Sequence, residues 1–301
     1  MIPDSATTTL QGRLFAALVR GFGQLPLRWM HRIGAMIGRL FLLFPNRNRR
    51  VAERNLELCF PDATEAERRR LLRRNFLETG RSLAELGYFW TRPAGDVLGL
   101  IQEVEGQAAF DAALNGDQGI LLAAPHLGAW ELLCQYLAAR GPLTVLYREP
   151  RDPGVEAVVN AGRNRLGTEL VRAGPQGVRR LFRALKEGRI VGILPDQQPK
   201  RGNGEFAPFF GIPALTMVLL TRLAAKSGAP VVFGFAERLD DSRGFRLHFR
   251  AAPEAISSPD SGVAVAALNR TVEEMVRIAP AQYQWGYKRF SIRPEGESPL
   301  Y

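Results

Sequence analysis

After residue 93, short apolar segments alternate with amphipathic ones, and this alternation constrains the fold more than any other feature. Segments rich in Val, Ile and Leu, short enough for buried strands, cover residues 119–124, 143–147, 190–194 and 231–236. Segments with helical periodicity cover residues 130–139, 154–166, 177–187 and 216–227. Strands that alternate with helices pair mainly in parallel. The sequence therefore predicts an α/β fold with a mostly parallel or mixed central sheet flanked by helices.

Two further patterns complete the predicted layout. Residues 245–250 alternate between apolar and polar side chains, which predicts an antiparallel strand with one face toward solvent. Residues 46–92 have a helical and highly charged pattern, and Thr64 with Glu67 forms a capping box at a helix start. We expect two regions, an N-terminal segment at 1–45 and the main domain at 46–301.

The composition excludes several classes of protein. Among 301 residues, 46% are apolar and 23% are charged, which is the balance of a globular protein with a substantial core. Two cysteines are too few for a disulfide framework, and three histidines argue against a zinc site. The chain has no P-loop, no Gly-x-Ser-x-Gly and no clear dinucleotide fingerprint. We therefore expect neither a cofactor nor a metal.

The charge of the chain points to an anionic partner. The net charge is +10, and 36 of the 40 basic residues are arginines, which bind phosphate and carboxylate groups in a bidentate way. Nucleic acid, an anionic membrane and an acidic carrier protein all fit this charge. A module that binds nucleic acid is disfavoured, because no helix-turn-helix, zinc finger or aromatic RNA-binding pattern is evident.

The first fifty residues favour the membrane. Residues 13–50 contain eight arginines and no acidic residue. Residues 27–44 form an amphipathic pattern with a basic stripe and a wide apolar face, typical of a helix that lies in an anionic membrane interface. No segment reaches the ~20 apolar residues of a simple membrane span. We predict a retained membrane-associating segment at 1–45, and an ordinary core-facing helix is the alternative.

One histidine has the setting of a catalytic base. His126 follows the predicted strand 119–124 directly, at the sheet edge where ligands bind in open α/β sheets. Glu131 stands five residues later, at the predicted start of a helix, and could fold back onto the imidazole. A carboxylate on one ring nitrogen leaves the other as a proton acceptor. His31 and His248 have no acid placed in sequence to orient them and are expected to be structural.

Other side chains near predicted strand ends are candidates for substrate binding. Arg148 and Asp196 each follow a predicted strand, and Asp196 could orient an arginine or bind acceptor hydroxyls. Arg148 or backbone N–H groups near Gly128 could stabilise an oxyanion. Cys134 lies in an apolar helix and is expected to be core. The remaining candidates for substrate binding are Arg163, Gln197, Lys288 and Arg289.

Phe206, Phe209, Phe210, Ile212 and Pro213 are expected in a Gly-rich loop after Asp196. These apolar side chains line an acyl-chain groove or belong to the core.

Several sequence blocks, in order, resemble one family. His-x-x-x-x-Asp/Glu after an apolar strand is the motif of the glycerolipid-type acyltransferases. Over about residues 13–295 the chain is similar to the lipid A biosynthesis late acyltransferases, the lauroyl and myristoyl acyltransferase family. The blocks are Arg50-Val-Ala-Glu-Arg-Asn-Leu-Glu-Leu-Cys-Phe-Pro61, Ala124-Pro-His-Leu-Gly-Ala-Trp-Glu131, Leu146-Tyr-Arg-Glu-Pro150, Leu194-Pro-Asp-Gln-Gln-Pro199, Phe209-Phe-Gly-Ile-Pro213 and Tyr283-Gln-Trp-Gly-Tyr-Lys-Arg-Phe290.

The resemblance implies a function. A fatty acyl chain would pass from acyl carrier protein to a hydroxyl of a lipid A precursor of the Kdo-lipid IVA type, in lipopolysaccharide biosynthesis. The reaction would occur at the cytoplasmic face of the cell inner membrane, with His126 and Glu131 as the catalytic pair. An acyltransferase of the same mechanism with a glycolipid, lysophospholipid or ornithine lipid as acceptor is the alternative.

Overall fold

The structure is a computed structural model that describes residues 9–116 and 118–301. Five helices come first, and strands and helices alternate after them, as predicted. The helices are α1 (Leu10–Gln24), α2 (Leu27–Leu43), α3 (Arg47–Cys59), α4 (Glu65–Thr91), α5 (Ala94–Leu98), α6 (Gln107–Leu114), α7 (Trp130–Arg140), α8 (Pro153–Arg163), α9 (Pro175–Lys186), α10 (Leu219–Ser227) and α11 (Ser261–Ile278). The strands are β1 (Ile101–Glu105), β2 (Ile120–Ala123), β3 (Leu143–Tyr147), β4 (Glu169–Arg172), β5 (Ile190–Ile193), β6 (Gly204–Phe209), β7 (Ile212–Met217), β8 (Val231–Arg238) and β9 (Phe245–Ala251).

Seven strands form one central sheet, in the order β1-β9-β8-β2-β5-β3-β4. Strands β8, β2, β5, β3 and β4 pair in parallel. Strand β9 pairs antiparallel with β8 and parallel with β1. Both β2 and β5 consist of buried residues only, since helices cover both faces of the sheet. The predicted α/β class with a mixed, mostly parallel sheet is confirmed.

The segment after β5 differs from the prediction. Residues expected in a Gly-rich loop form the antiparallel hairpin β6–β7, in which Phe209 pairs with Ile212. Phe209 and Phe210 are buried in the core, whereas Phe206 is exposed. The helix predicted from residue 216 begins at Leu219, because Thr216 and Met217 belong to β7.

The two N-terminal helices pack closely against α4. A Cβ on Gly34 of α2 would lie 2.7 Å from the carbonyl oxygen of Gly80, so only glycine permits this approach of the two backbones. Gly23 of α1 and Gly87 of α4 approach each other in the same way. The predicted division at residue 45 stays a prediction, but within the described residues α1 and α2 are packed against α4.

The outer faces of α1 and α2 carry large apolar side chains. None of the described helices combines the length and the apolarity needed to cross a membrane. Arg28, Arg32 and Arg39 of α2 are exposed. Large apolar side chains of α1, of α2 and of the residue that follows α2 are exposed as well, and we refer to them together as the exposed apolar surface. Its members are Leu10, Leu14, Leu18, Trp29, Met36, Leu40, Phe41, Leu43 and Phe44.

Candidate active site

Two neighbouring parallel strands deliver the central pair of side chains. Strand β2 ends at Ala123 and is followed by His126, and strand β5 ends at Ile193 and is followed by Asp196. Because β2 and β5 run in parallel and share a register, both loops leave the sheet at its carboxyl edge. A sharp turn follows at Gly128, where φ is +63° and a Cβ would collide with the carbonyl oxygen of Ala236. This turn directs the chain from the strand into α7.

Asp196 holds His126 with both carboxylate oxygens. The His126 backbone N–H donates to Oδ2 at 3.0 Å, and the imidazole Nδ1 lies 2.8 Å from Oδ1. Asp196 is buried, which by itself opposes ionisation. The charge of His126 and its hydrogen bonds outweigh burial, so the pKa of Asp196 lies below its ordinary value. The acid is therefore a carboxylate that accepts hydrogen bonds.

This arrangement fixes which ring nitrogen acts. A carboxylate acceptor requires a proton on Nδ1, so the neutral imidazole carries its lone pair on Nε2. Among the described residues, none forms a hydrogen bond with Nε2 of His126. The side chain is 16% exposed, and the ring of Trp130 meets it edge-on with the ring centroids 5.6 Å apart. His126 thus presents an unpaired acceptor nitrogen at the sheet edge, which is the chemistry that a general base requires.

The other two histidines also contact acids, contrary to expectation, yet neither leaves a ring nitrogen free. In His31, Nε2 lies 2.6 Å from Glu85 and Nδ1 lies 2.9 Å from the hydroxyl of Ser242. In His248, Nε2 lies 2.8 Å from Glu237 and Nδ1 lies 3.1 Å from Glu105. Both ring nitrogens of His31 and of His248 thus have partners, which fits the expectation that these two residues are structural. Of the three histidines, only His126 has a ring nitrogen without a partner among the described residues.

Glu131 does not contact the imidazole, which corrects the predicted contact. Its buried carboxylate accepts Nε of Arg163 on both oxygens, at 3.0 and 3.2 Å, and Nε1 of Trp90 at 3.1 Å. A buried carboxylate requires an opposite charge, and the guanidinium on α8 supplies it. Burial alone would lower the pKa of Arg163, but Glu131 raises it. The catalytic role predicted for Glu131 remains a prediction, without direct contact to His126.

This ion pair gives a stability prediction. Glu131→Gln is expected to lower the free energy of unfolding by about 3–5 kcal/mol, because it leaves a largely buried guanidinium without its counter-ion. Urea denaturation would measure the loss. The double variant Glu131→Met with Arg163→Met removes both charges and should recover much of it. A single variant as stable as wild type would show that the pair is not needed for folding.

The C-terminal segment also reaches the site. The carbonyl of His126 accepts the N–H of Gln284 at 3.1 Å, and Gln197 donates to the side chain of Gln284 at 2.8 Å. Tyr283 is buried, and burial and the nearby charge of Asp196 raise its pKa well above the ordinary value. The sequence contains no local signal that connects Tyr283 with Asp196.

The other predicted substrate-binding residues differ in whether their side chains already have partners within the protein. Arg148 is exposed at the end of β3 and has no hydrogen-bond or ion-pair partner among the described residues. Arg163 is engaged by Glu131. Arg289 is buried and donates to the Leu215 carbonyl at 2.6 Å and to the Thr216 hydroxyl at 2.5 Å, so its donors face the hairpin. Lys288 lies 5.2 Å from the ring centre of Tyr301. The structure thus brings Asp196 to His126 and places Gln197 next to Asp196 on the same loop, whereas Arg163 and Arg289 are engaged elsewhere.

Three further expectations concern the N–H groups near Gly128, the thiol of Cys134 and potential metal ligands. The Gly128 N–H donates to Gln282 and the Ala129 N–H to Ala236, so these groups are not free for an oxyanion. Burial, with the charge of Glu131, raises the pKa of the Cys134 thiol to about 12, and such a thiol is a poor nucleophile. No cluster of three or more potential metal ligands occurs in residues 9–116 and 118–301.

Comparison with known proteins agrees with the geometry. Residues 5–291 match the family model of the bacterial lipid A biosynthesis acyltransferases. The lipid A biosynthesis palmitoleoyltransferase of Escherichia coli K12 is 32% identical over 280 residues, covering 92% of this chain and 90% of that protein. The lauroyltransferase of the same strain is 32% identical with the same coverage, and the myristoyltransferase is 25% identical, covering 96% and 89%. The chain also has an accessible histidine, bound by a carboxylate, at the edge of its sheet. By these matches the chain belongs to the bacterial lipid A biosynthesis acyltransferase family and is an acyltransferase.

Proposed function

We propose that this chain transfers a fatty acyl group from the thioester of an acyl carrier protein to a hydroxyl of a lipid A precursor of the Kdo-lipid IVA type. The observation that carries the proposal is the His126–Asp196 pair, because its free Nε2 suits the deprotonation of an alcohol. The relatives are named for lipid A biosynthesis, which supports a lipid A precursor as the acceptor.

The pair suits direct transfer in a ternary complex. Nε2 of His126 takes the proton of the acceptor hydroxyl as its oxygen attacks the thioester carbonyl. The tetrahedral intermediate collapses, the carbon–sulfur bond breaks, and the imidazolium returns the proton to the departing thiolate. Asp196 stabilises the transient imidazolium through Nδ1. The products are an ester and the free carrier thiol. Burial raises the pKa of the Cys134 thiol, which disfavours an acyl-enzyme at that residue and supports direct transfer.

Arg148 and Gln197 are the polar side chains best placed for substrates. Arg148 directly follows β3, which pairs with β5, so its loop borders the Asp196 loop at the same edge of the sheet. A free guanidinium binds a phosphate in a bidentate way or stabilises a developing oxyanion. We assign Arg148 to a phosphate of the acceptor or of the carrier's prosthetic group. Lys288 remains a predicted substrate contact.

The proposal is tested by weighing the product. The protein is incubated with a labelled acyl carrier protein thioester and Kdo-lipid IVA, and the lipids are analysed by mass spectrometry. The expected result is a gain of one acyl chain on the precursor, and loss of that gain in His126→Ala. Acylation of a glycolipid, lysophospholipid or ornithine lipid instead would overturn the acceptor assignment, and acylation of no lipid would overturn the activity.

We further propose that the protein acts at the cytoplasmic face of the inner membrane, attached through α1 and α2. The support is the exposed apolar surface of these helices together with the arginines Arg28, Arg32 and Arg39. Apolar side chains partition into the interface, and arginines attract anionic headgroups. The surface is part of the packed fold, so attachment would hold the rest of the domain at the lipid surface.

Attachment through α2 is tested with vesicles of phosphatidylethanolamine and phosphatidylglycerol. The double variant Phe41→Glu with Leu43→Glu is expected to weaken vesicle binding about 100-fold or more. An apolar side chain of this size contributes about 1.5–3 kcal/mol when it moves from water into the membrane interface. Co-sedimentation measures the effect, and Ile278→Glu, at an exposed apolar residue ending α11, is the matched control. Unchanged binding of the double variant would place the attachment elsewhere.

A further inference from the structure

A short C-terminal segment, residues 281–287, lies between the His126–Asp196 pair and the helices α3 and α4; we call it the site segment. On one side it pairs with the turn that carries the base. The N–H of Gly128 donates to the carbonyl of Gln282, and the N–H of Gln284 donates to the carbonyl of His126, both at 3.1 Å. Leu127 and Tyr283 form an isolated antiparallel bridge between these hydrogen bonds.

On its other side the site segment is held by two buried asparagines. The side-chain amide of Asn75, on α4, donates to the carbonyls of Ala281 at 2.9 Å and Tyr283 at 2.7 Å. The amide of Asn55, on α3, donates to the carbonyls of Trp285 at 2.7 Å and Tyr287 at 2.8 Å. Four carbonyls at alternate positions are therefore bound by two side chains, each at most 3% exposed.

Only an amide suits these two positions. One NH₂ group supplies two donors, and each asparagine uses both of them on carbonyl oxygens. The side-chain oxygen of Asn55 also accepts the hydroxyl of Tyr301. An aspartate of the same shape would have no donor when ionised and would bring its charge against two carbonyl dipoles. The chemistry of the contact therefore specifies asparagine rather than a small polar residue in general.

The site segment contacts both halves of the catalytic pair. It bonds to the backbone of His126, as described, and it also bonds to the loop that carries Asp196. The side chain of Gln197 donates to that of Gln284 at 2.8 Å, and the N–H of Gln198 donates to the hydroxyl of Tyr287 at 2.9 Å. The two loops are thus joined through one segment whose position the asparagines determine.

We propose that Asn55 and Asn75 are positioning residues for the proposed acyl transfer: they clamp the site segment, and the site segment keeps the imidazole of His126 in register with the carboxylate of Asp196. The effect on rate rests on the proposed function, whereas the effect on the imidazole does not. With the clamp loosened, His126 should sample orientations in which Nδ1 no longer faces Asp196, and both neutral tautomers should then be populated.

The test uses the full chain labelled with ¹⁵N-histidine, which gives signals from only three residues. The signal of His126 is assigned by its loss in His126→Ala. Wild type is expected to show the tautomer with the proton on Nδ1. Asn55→Asp and Asn75→Asp should show a mixture. The kcat of acyl transfer should fall by about 10²-fold with little change in KM, which is the cost of misplacing reacting groups by about 1 Å.

Asn269→Asp is the matched control. Asn269 is also buried, and its amide donates to the carbonyls of Ala207 and Pro208 in the hairpin rather than to the site segment. This variant should lose stability while the His126 tautomer is retained. A merely structural role for the clamp predicts instead that all three variants lose stability alike and that none changes the tautomer.

If the aspartate variants do not fold, Asn55→Ser and Asn75→Ser retain one donor each and should show the same changes to a smaller degree. Folded clamp variants of either kind with the wild-type tautomer and kcat would overturn the proposal. The tautomer and the rate of acyl transfer together also distinguish a failure of the clamp proposal from a failure of the proposed function. A tautomer change in protein that acylates no lipid would sustain the clamp and refute the proposed function.

Discussion

Asp196→Asn is expected to lower kcat for acyl transfer by about 10²–10⁴-fold, with KM nearly unchanged. The amide preserves the shape of the side chain, but it neither stabilises an imidazolium nor selects the proton on Nδ1. Nε2 of His126 would then carry the proton in part of the molecules, and those molecules cannot act as a base. Single-turnover kinetics with a labelled acyl carrier protein thioester measure the loss.

Asp260→Asn is the control for this substitution. Asp260 also accepts backbone N–H groups, those of Gly262 at 2.8 Å and Val263 at 3.2 Å, but at the exposed start of α11. Asparagine is an equally good cap there, so rate and stability should match wild type. A folded Asp196→Asn variant within about threefold of the wild-type rate would remove Asp196 from the mechanism, since base orientation of this kind is worth far more.

His126→Ala is expected to lower kcat by about 10²–10⁴-fold, the usual contribution of a positioned general base. The substitution removes a partly exposed ring at the sheet edge, so folding and substrate binding should persist. Because the deletion leaves room beside Asp196, added imidazole should restore part of the rate in the variant and none in wild type. Turnover by the variant at the wild-type rate would show that the proton is taken elsewhere.

Sequence patterns located His126 at the sheet edge but not its contact with Asp196. The apolar runs before His126 and Asp196 are uninterrupted because β2 and β5 are buried on both faces. The end of each run could therefore be recognised in the sequence as the end of a strand, at the edge of the sheet. That the two strands are neighbours follows from the strand order of the sheet. The pairing of residues 70 positions apart depends on that order, which local spacing does not encode.

The predicted contact of Glu131 failed for a related reason. Spacing from His126 describes what Glu131 can reach along the chain, whereas its contacts are decided by what lies opposite when helices pack. Arg163 and Trp90 supply N–H donors to the carboxylate of Glu131, which is buried and no longer hydrated. Partners from two other helices cannot be inferred from a motif, however well the motif identifies the family.

In the N-terminal region too, contacts within one helix could be predicted from the sequence, whereas contacts between helices could not. The capping box of Thr64 and Glu67 is present as predicted, since both contacts lie within one helix turn. The close packing of α2 on α4 depends on Gly34 and Gly80, which are far apart in sequence and carry no periodic signal. The clamp by Asn55 and Asn75 likewise joins residues more than 200 positions apart.

The most direct measurement of the central claim is a double-mutant cycle on kcat with His126→Ala and Asp196→Asn. Groups that act as one unit show strongly non-additive losses. Since Asp196 acts only through the imidazole, we expect the double variant to be no slower than His126→Ala alone. Losses that multiply in the double variant would mean that the acid and the base serve catalysis separately.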